Sequence, residues 1–222
     1  MKLEILDISI RLSALIAALP LIIMLINRKT LFKYSYGFAL FGIYTSHFLS
    51  GVFEFVCANL FNNAFPVYHF YNIILSIFLF LLFSAKIITP ILKNCAKVLL
   101  FIMLLAEFYD FFFRGGLFSN NNFAYPILQF SIILFYFLYL LERFKFHSIE
   151  AAHTTSEFAI FSTIFVYAVV QFLFALIEND IRYDLKTSVL SNILWLFFIW
   201  TYIIYLLVSS YFLHKDKSIS NS

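Results

Sequence analysis

Charge is what this sequence has least of. Of its 222 residues, 12% are Asp, Glu, Lys or Arg, against about 25% in a soluble globular domain. Hydrophobic residues make up 63%, so there are too few polar groups to cover a water-soluble fold. Disorder is excluded on the same ground, because disordered chains are poor in apolar residues. Glycine and proline are scarce, at five and four. That leaves little material for the helices broken near the membrane midplane that mark many transporters. What is present in quantity is Phe, with 32 residues. The composition points to a polytopic membrane protein with no sizeable domain outside the bilayer.

A membrane helix takes about 20 mostly apolar residues. Seven stretches qualify: Ile5 to Ile26, Tyr36 to Leu60, Phe70 to Ile88, Ala96 to Phe113, Phe123 to Leu141, Phe158 to Ile177 and Leu185 to Leu213. The runs are continuous rather than alternating, and they are about twice the length of a barrel strand, so helices are expected and not a barrel. Asn62, Asn63 and Pro66, then Pro90, then Gly115, Gly116 and Asn120 to Asn122 supply connections. The expected fold is all-α: one bundle of seven transmembrane helices over residues 1–213, with a short cytoplasmic tail over 214–222. Six or eight spans stay open, because the last run is long. The first run is read as a retained helix rather than a signal peptide. Glu4 and Asp7 precede it, and Arg28, Lys29 and Lys33 follow it where a cleavage site would stand.

The basic residues give the orientation. Arg28, Lys29, Lys33, Lys86, Lys93, Lys97, Arg143, Lys145, Lys215 and Lys217 fall on one side, ten of the 15 Lys and Arg. Lys2, Arg11, Arg114, Arg182 and Lys186 fall on the other. The N-terminus is therefore expected outside and the C-terminus in the cytoplasm. The net charge of +3 reads as this cytoplasmic fringe meeting anionic lipid, and nothing suggests a nucleic-acid partner. Cys57 and Cys95 are expected at opposite faces of the bilayer, which rules out a disulfide between them.

Ionisable residues inside spans cost about 2.5–3.5 kcal/mol each near the centre, and are functional candidates by default. On the second run Tyr44, His47, Ser50 and Glu54 share one helical face. On the fourth, Glu107, Asp110 and Arg114 share another. Arg11 lies in the outer part of the first run and His69 at the outer mouth. Asn72 and Ser76 open the third run. Gln129, Gln171 and Asn192, with Ser188 and Ser191, sit in the outer halves of the last three. If these faces point inward, they line a polar cavity open to the exterior. The alternative is structural: Glu54 with Arg11, and Asp110 with Arg114, form ion pairs that fix packing, while Ser and Asn join helices.

Other chemistry is missing from the sequence. There is no Gly-x-Ser-x-Gly, phosphate loop or haem motif. A zinc site needs about three histidines at one depth. Only His47 and His69 could meet near the outside, while His147, His153 and His214 fall on the cytoplasmic side. No catalytic residue, metal or cofactor is assigned. A lysine for retinal in the middle of the seventh run is also absent, since Lys186 lies at its outer end.

The stretch Asn63-Ala64-Phe65-Pro66-Val67-Tyr68-His69-Phe70-Tyr71 resembles a motif in a group of small, mostly uncharacterised bacterial seven-helix membrane proteins. That group sets an Asn, an aromatic and a His-x-Tyr just before an apolar helix. The resemblance implies a multi-pass protein of the bacterial inner membrane. It implies no function and no catalytic residues; the placement of the polar residues leaves four functions, in order. The first is a receptor-like or sensory module that signals through a separate cytoplasmic or membrane protein partner. The others are a structural or assembly subunit of a membrane complex, a small transporter linked to protons through His47 and Glu54, and an intramembrane enzyme.

Overall fold

A computed structural model of the protein describes the backbone at residues 2–28, 32, 36–61, 63–114, 116–119, 122–146, 156–184 and 189–219. Side chains are described at these positions except 2–4, 6–7, 58, 146, 178–184, 189–191 and 216–219. Lys29, Lys33, Asn62, Gly115, Asn120, Asn121, His147, His153, Lys186 and Ser188 lie outside the described residues. So do the side chains of Lys2, Glu4, Asp7, Arg182, Ser191 and Lys217.

The described residues form helices α1 (Lys2–Ile26), α2 (Gly37–Phe61), α3 (Phe65–Ser84), α4 (Pro90–Phe113), α5 (Ala124–Phe146), α6 (Ser156–Asp184) and α7 (Val189–Ile219). Among the described residues there is no strand, as the unbroken apolar runs required. Six of the helices, all but α4, are long and apolar enough to cross a membrane. The protein is therefore a multi-pass helical membrane protein. Helix α4 falls short because of its charges. Lys93 and Lys97 stand near its start, and Glu107 and Asp110 near its end. Only Val98 to Ala106 is continuously apolar between them.

Helix starts explain the shifts from the expected boundaries. Pro66 and Pro90 sit in the first turns of α3 and α4, where the missing N–H has no helical partner to lose. Helix α4 thus begins at Pro90 rather than Ala96, with Lys93, Asn94 and Lys97 exposed along it.

Each helix packs on the next in sequence, and α1 closes the ring against α7, while α3 also touches α5. The starts of α3, α5 and α7 share one end of the bundle, called here the Asn63 end. The starts of α2, α4 and α6 share the other, the Lys86 end. The centre is aromatic. Phe83 stacks on Phe135 at 5.5 Å and meets Phe161 edge-on at 5.0 Å, which joins α3, α5 and α6. Helices α2 and α3 approach closely at Gly42, where an added Cβ would fall 2.3 Å from the Phe78 ring. Small residues allow such approach in lipid, where packing rather than water exclusion holds helices together.

Helices α4 and α5 are fastened crosswise. Asp110, near the end of α4, accepts the backbone N–H groups of Phe123 at 3.0 Å and Ala124 at 2.7 Å. Glu142, near the end of α5, accepts those of Ile88 and Thr89, both at 3.0 Å. Each carboxylate satisfies donors that a helix start leaves open. Each also lies at the positive end of the neighbouring helix dipole.

Candidate functional site

The expected polar residues divide into separate groups. The first lies at the Asn63 end between α3 and α4. His69, Asn72 and Ser76 occupy one face of α3 and are buried. His69 Nδ1 lies 2.5 Å from Glu107 Oε1. Asn72 Nδ2 donates to Glu107 Oε2 at 3.0 Å. His69 Nε2 lies 3.1 Å from the Ser119 carbonyl. A carbonyl oxygen carries no proton, so Nε2 must be the donor there. The Nδ1–Oε1 bond then needs one proton, carried by either partner. Ser76 Oγ donates to the Asn72 carbonyl at 2.7 Å, which holds the α3 face in place. Asp110, one turn beyond Glu107, is 1% exposed.

The second group surrounds His47 in the middle of α2. Its Nδ1 lies 3.0 Å from the Tyr71 hydroxyl of α3 and its Nε2 lies 3.4 Å from the Tyr205 hydroxyl of α7. The rings of Tyr44, Tyr71, Tyr202 and Tyr205 stand 5.5–6.4 Å from the imidazole. A neutral imidazole can donate to one hydroxyl and accept from the other. Tyr167 of α6 stacks on Tyr205 at 4.4 Å, so four helices meet at this cage.

The remaining residues make separate hydrogen bonds, although Glu54 lies near Tyr202 of the cage and Tyr125, the partner of Gln171, near Tyr71 and Tyr167. Glu54 accepts a 2.5 Å hydrogen bond from the Tyr68 hydroxyl. Ser50 donates to the His47 carbonyl of its own helix at 2.9 Å. Gln171 accepts from Tyr125 at 2.7 Å, and Gln129 is buried on α5. Asn192 is half-buried near the start of α7, and Arg11 is exposed on α1. Arg114 is exposed too, with its guanidinium 6.0 Å from the Phe123 ring. The Asp110 carboxylate faces the α5 backbone and makes no ion pair with Arg114. Two neutral-looking backbone donors at a helix start hold it better than one exposed guanidinium, whose solvated ion pair contributes little.

A third group, at the Lys86 end, was not read from the sequence. Lys86 Nζ lies 2.5 Å from Glu157 Oε2 and 4.3 Å from the Tyr36 ring. Arg143 reaches Glu157 at 3.9 Å and the Tyr139 hydroxyl at 3.2 Å. Lys145 Nζ donates to Thr89 Oγ1 at 3.3 Å. Glu142 and Glu157 each fall one residue outside an expected span, Phe123 to Leu141 and Phe158 to Ile177, and so read as connection residues. The signal that could have found them is a carboxylate at the basic end of a span. Among the described residues no three His, Cys, Asp or Glu side chains come together to hold a metal ion. Compared with protein-family models, curated proteins and solved structures, the chain matches none.

Proposed function

We propose that this protein is a receptor-like sensory module of a bacterial inner membrane. In this reading all seven helices cross the bilayer, with the N-terminus and the Asn63 end outside and the C-terminus in the cytoplasm. The crossed caps support the seventh crossing, because they tie both ends of α4 to the ends of α5. Glu107 and Asp110 are buried, so their charges do not meet lipid. The basic majority at the Lys86 end supports the orientation.

One observation carries the sensory reading. Residues 69–72 of α3 bond in two directions. His69 and Asn72 hold Glu107 of α4, while Tyr71 holds His47 of α2, whose other nitrogen faces Tyr205 of α7. A ligand that alters the Glu107 contacts moves α3, and with it the His47 cage and α7. Helix α7 runs on to Ile219, where a separate cytoplasmic protein partner would read the shift. The connections at the Lys86 end are too short to hold an output domain of their own.

The test is a thermal-shift screen of the purified full chain against small polar solutes. A stabilising solute whose effect disappears in Asn72→Ala supports the reading. A chain that no solute shifts, and that purifies in fixed ratio with another membrane protein, supports a structural subunit instead. The Lys86–Glu157–Arg143 group favours a second reading, proton-linked transport, because polar side chains then stand at both ends. Solute-driven pH change in proteoliposomes would separate transport from sensing.

A further inference from the structure

We propose that His69, Glu107 and Asp110 form a proton-binding site that takes up one proton beyond the one His69 and Glu107 already share. Its ligand is the hydrogen ion arriving from the Asn63 end. The proposal deepens the sensory reading by naming the stimulus, but proton uptake itself stands without that reading.

The cluster holds two carboxylates and one imidazole, exposed by 3%, 1% and 2% respectively. The His69–Glu107 pair is neutral as a unit, whichever partner holds the shared proton. Asp110 adds one negative charge. The groups facing the cluster from each element are then decisive. Helix α4 supplies Glu107 and Asp110 themselves. Helix α5 and the residue before it supply only the N–H groups of Ala124 and Phe123, equivalent to about half a positive charge at the helix start. Residue 119 supplies its carbonyl. On α3, Asn72 is neutral, and Tyr68 is committed to Glu54 of α2. Among the described residues neither carboxylate meets a cationic side chain other than His69. The three groups thus carry one net negative charge, only partly offset by the helix start, in a site withdrawn from water, where charge is costly.

The atoms are arranged to accept the extra proton. Asp110 Oδ2 accepts two backbone N–H groups, while Asp110 Oδ1 has no hydrogen-bond partner. Glu107 Oε2 receives only the Asn72 amide, and Asn72 Oδ1 has no hydrogen-bond partner. A proton placed on Glu107 Oε2 turns that oxygen into a donor. Rotation of the Asn72 amide brings Oδ1 round to accept it. His69 then donates from both nitrogens, to Ser119 and to Glu107 Oε1. The cluster holds one cation and one anion and is neutral. No bond to carbon is made or broken, and the proton comes from water at the Asn63 end.

The experiment uses the full chain in lipid nanodiscs, acidified stepwise and followed by infrared difference spectroscopy. The expected result is a carbonyl band of a protonated carboxylic acid that grows with acidification and is lost in Glu107→Gln. In Asp110→Asn the neighbouring negative charge is gone, so the midpoint moves down. This second variant keeps the test decisive if Glu107→Gln folds poorly. A band that survives Glu107→Gln, or a midpoint unmoved in Asp110→Asn, overturns the site. The two tryptophans, Trp195 and Trp200, both lie on α7, so their emission reports that helix separately. Emission that follows the infrared midpoint supports proton sensing. An infrared band with unchanged emission leaves the proton site standing and removes the sensory coupling.

Discussion

Asn63 and His69 hold adjacent carbonyls of the same segment. Asn63 Nδ2 donates to Phe118 and His69 Nε2 to Ser119, each at 3.1 Å. Asn63 also accepts the Phe65 N–H at 2.8 Å at the start of α3. The two polar residues of the Asn-to-His motif therefore clamp the approach to α5 onto the start of α3. Asn63→Ala removes the acceptor of the Phe65 N–H and one clamp together. It is expected to lower stability by about 1–2 kcal/mol. Hydrogen exchange at residues 116–119 should quicken more than exchange in α6. Unchanged exchange there would remove the clamp.

The crossed caps predict additive losses. Asp110→Ala and Glu142→Ala each leave two backbone donors without their partner, at a loss of about 1–3 kcal/mol apiece. They act at opposite ends of α4, so the double variant should show the sum within about 0.5 kcal/mol. Detergent melting of the three variants measures this. A double variant no worse than either single one would show that the two caps act as one.

Gly42→Ala is expected to destabilise by about 1–3 kcal/mol, because its methyl group meets the Phe78 ring and the core resists overpacking. Phe78→Leu in the same chain should recover part of the loss by clearing that contact. If the double variant melts below both single ones, steric contact at Gly42 is not the cause.

At the Lys86 end, Glu157 is shared by Lys86 and Arg143. Removing the acid leaves two half-buried cations facing each other, whereas removing Lys86 leaves Glu157 its second partner. Glu157→Met should therefore cost more than Lys86→Met. The double variant Lys86→Met with Glu157→Met should melt above Glu157→Met alone. The order of the three melting temperatures decides it.

The helical fold was legible because apolar runs of span length have few other solutions in lipid. The start of α4 was not, since Lys93 and Lys97 look like loop residues until a proline-led first turn carries them into an exposed helix face. The site was legible by residue and not by partner. Tyr44 and His47 do meet, but Ser50 turns back on its own helix and Glu54 goes to Tyr68. One helical face can serve several neighbours, and spacing alone does not say which. Asp110 and Arg114 stand at ion-pair spacing, yet the start of α5 returns to Asp110 from 13 residues further along. Only the folded chain reveals that competitor. Glu142 and Glu157 stand one residue beyond the apolar runs, where a carboxylate looks solvated until the fold brings Ile88, Thr89, Lys86 and Arg143 to them.

The crossed caps also bear on how the chain enters a bilayer. Taken alone, α4 is a poor client for insertion, because Lys93, Lys97, Glu107 and Asp110 interrupt it. The groups that complete it, the Glu142 carboxylate and the backbone donors that occupy Asp110, are synthesised after it. If α4 crosses the bilayer, as proposed above, the hairpin of α4 and α5 is the smallest unit that can be integrated. A released chain truncated after Arg114 should leave α4 accessible to aqueous label, and one extended past Phe146 should bring both helices in together.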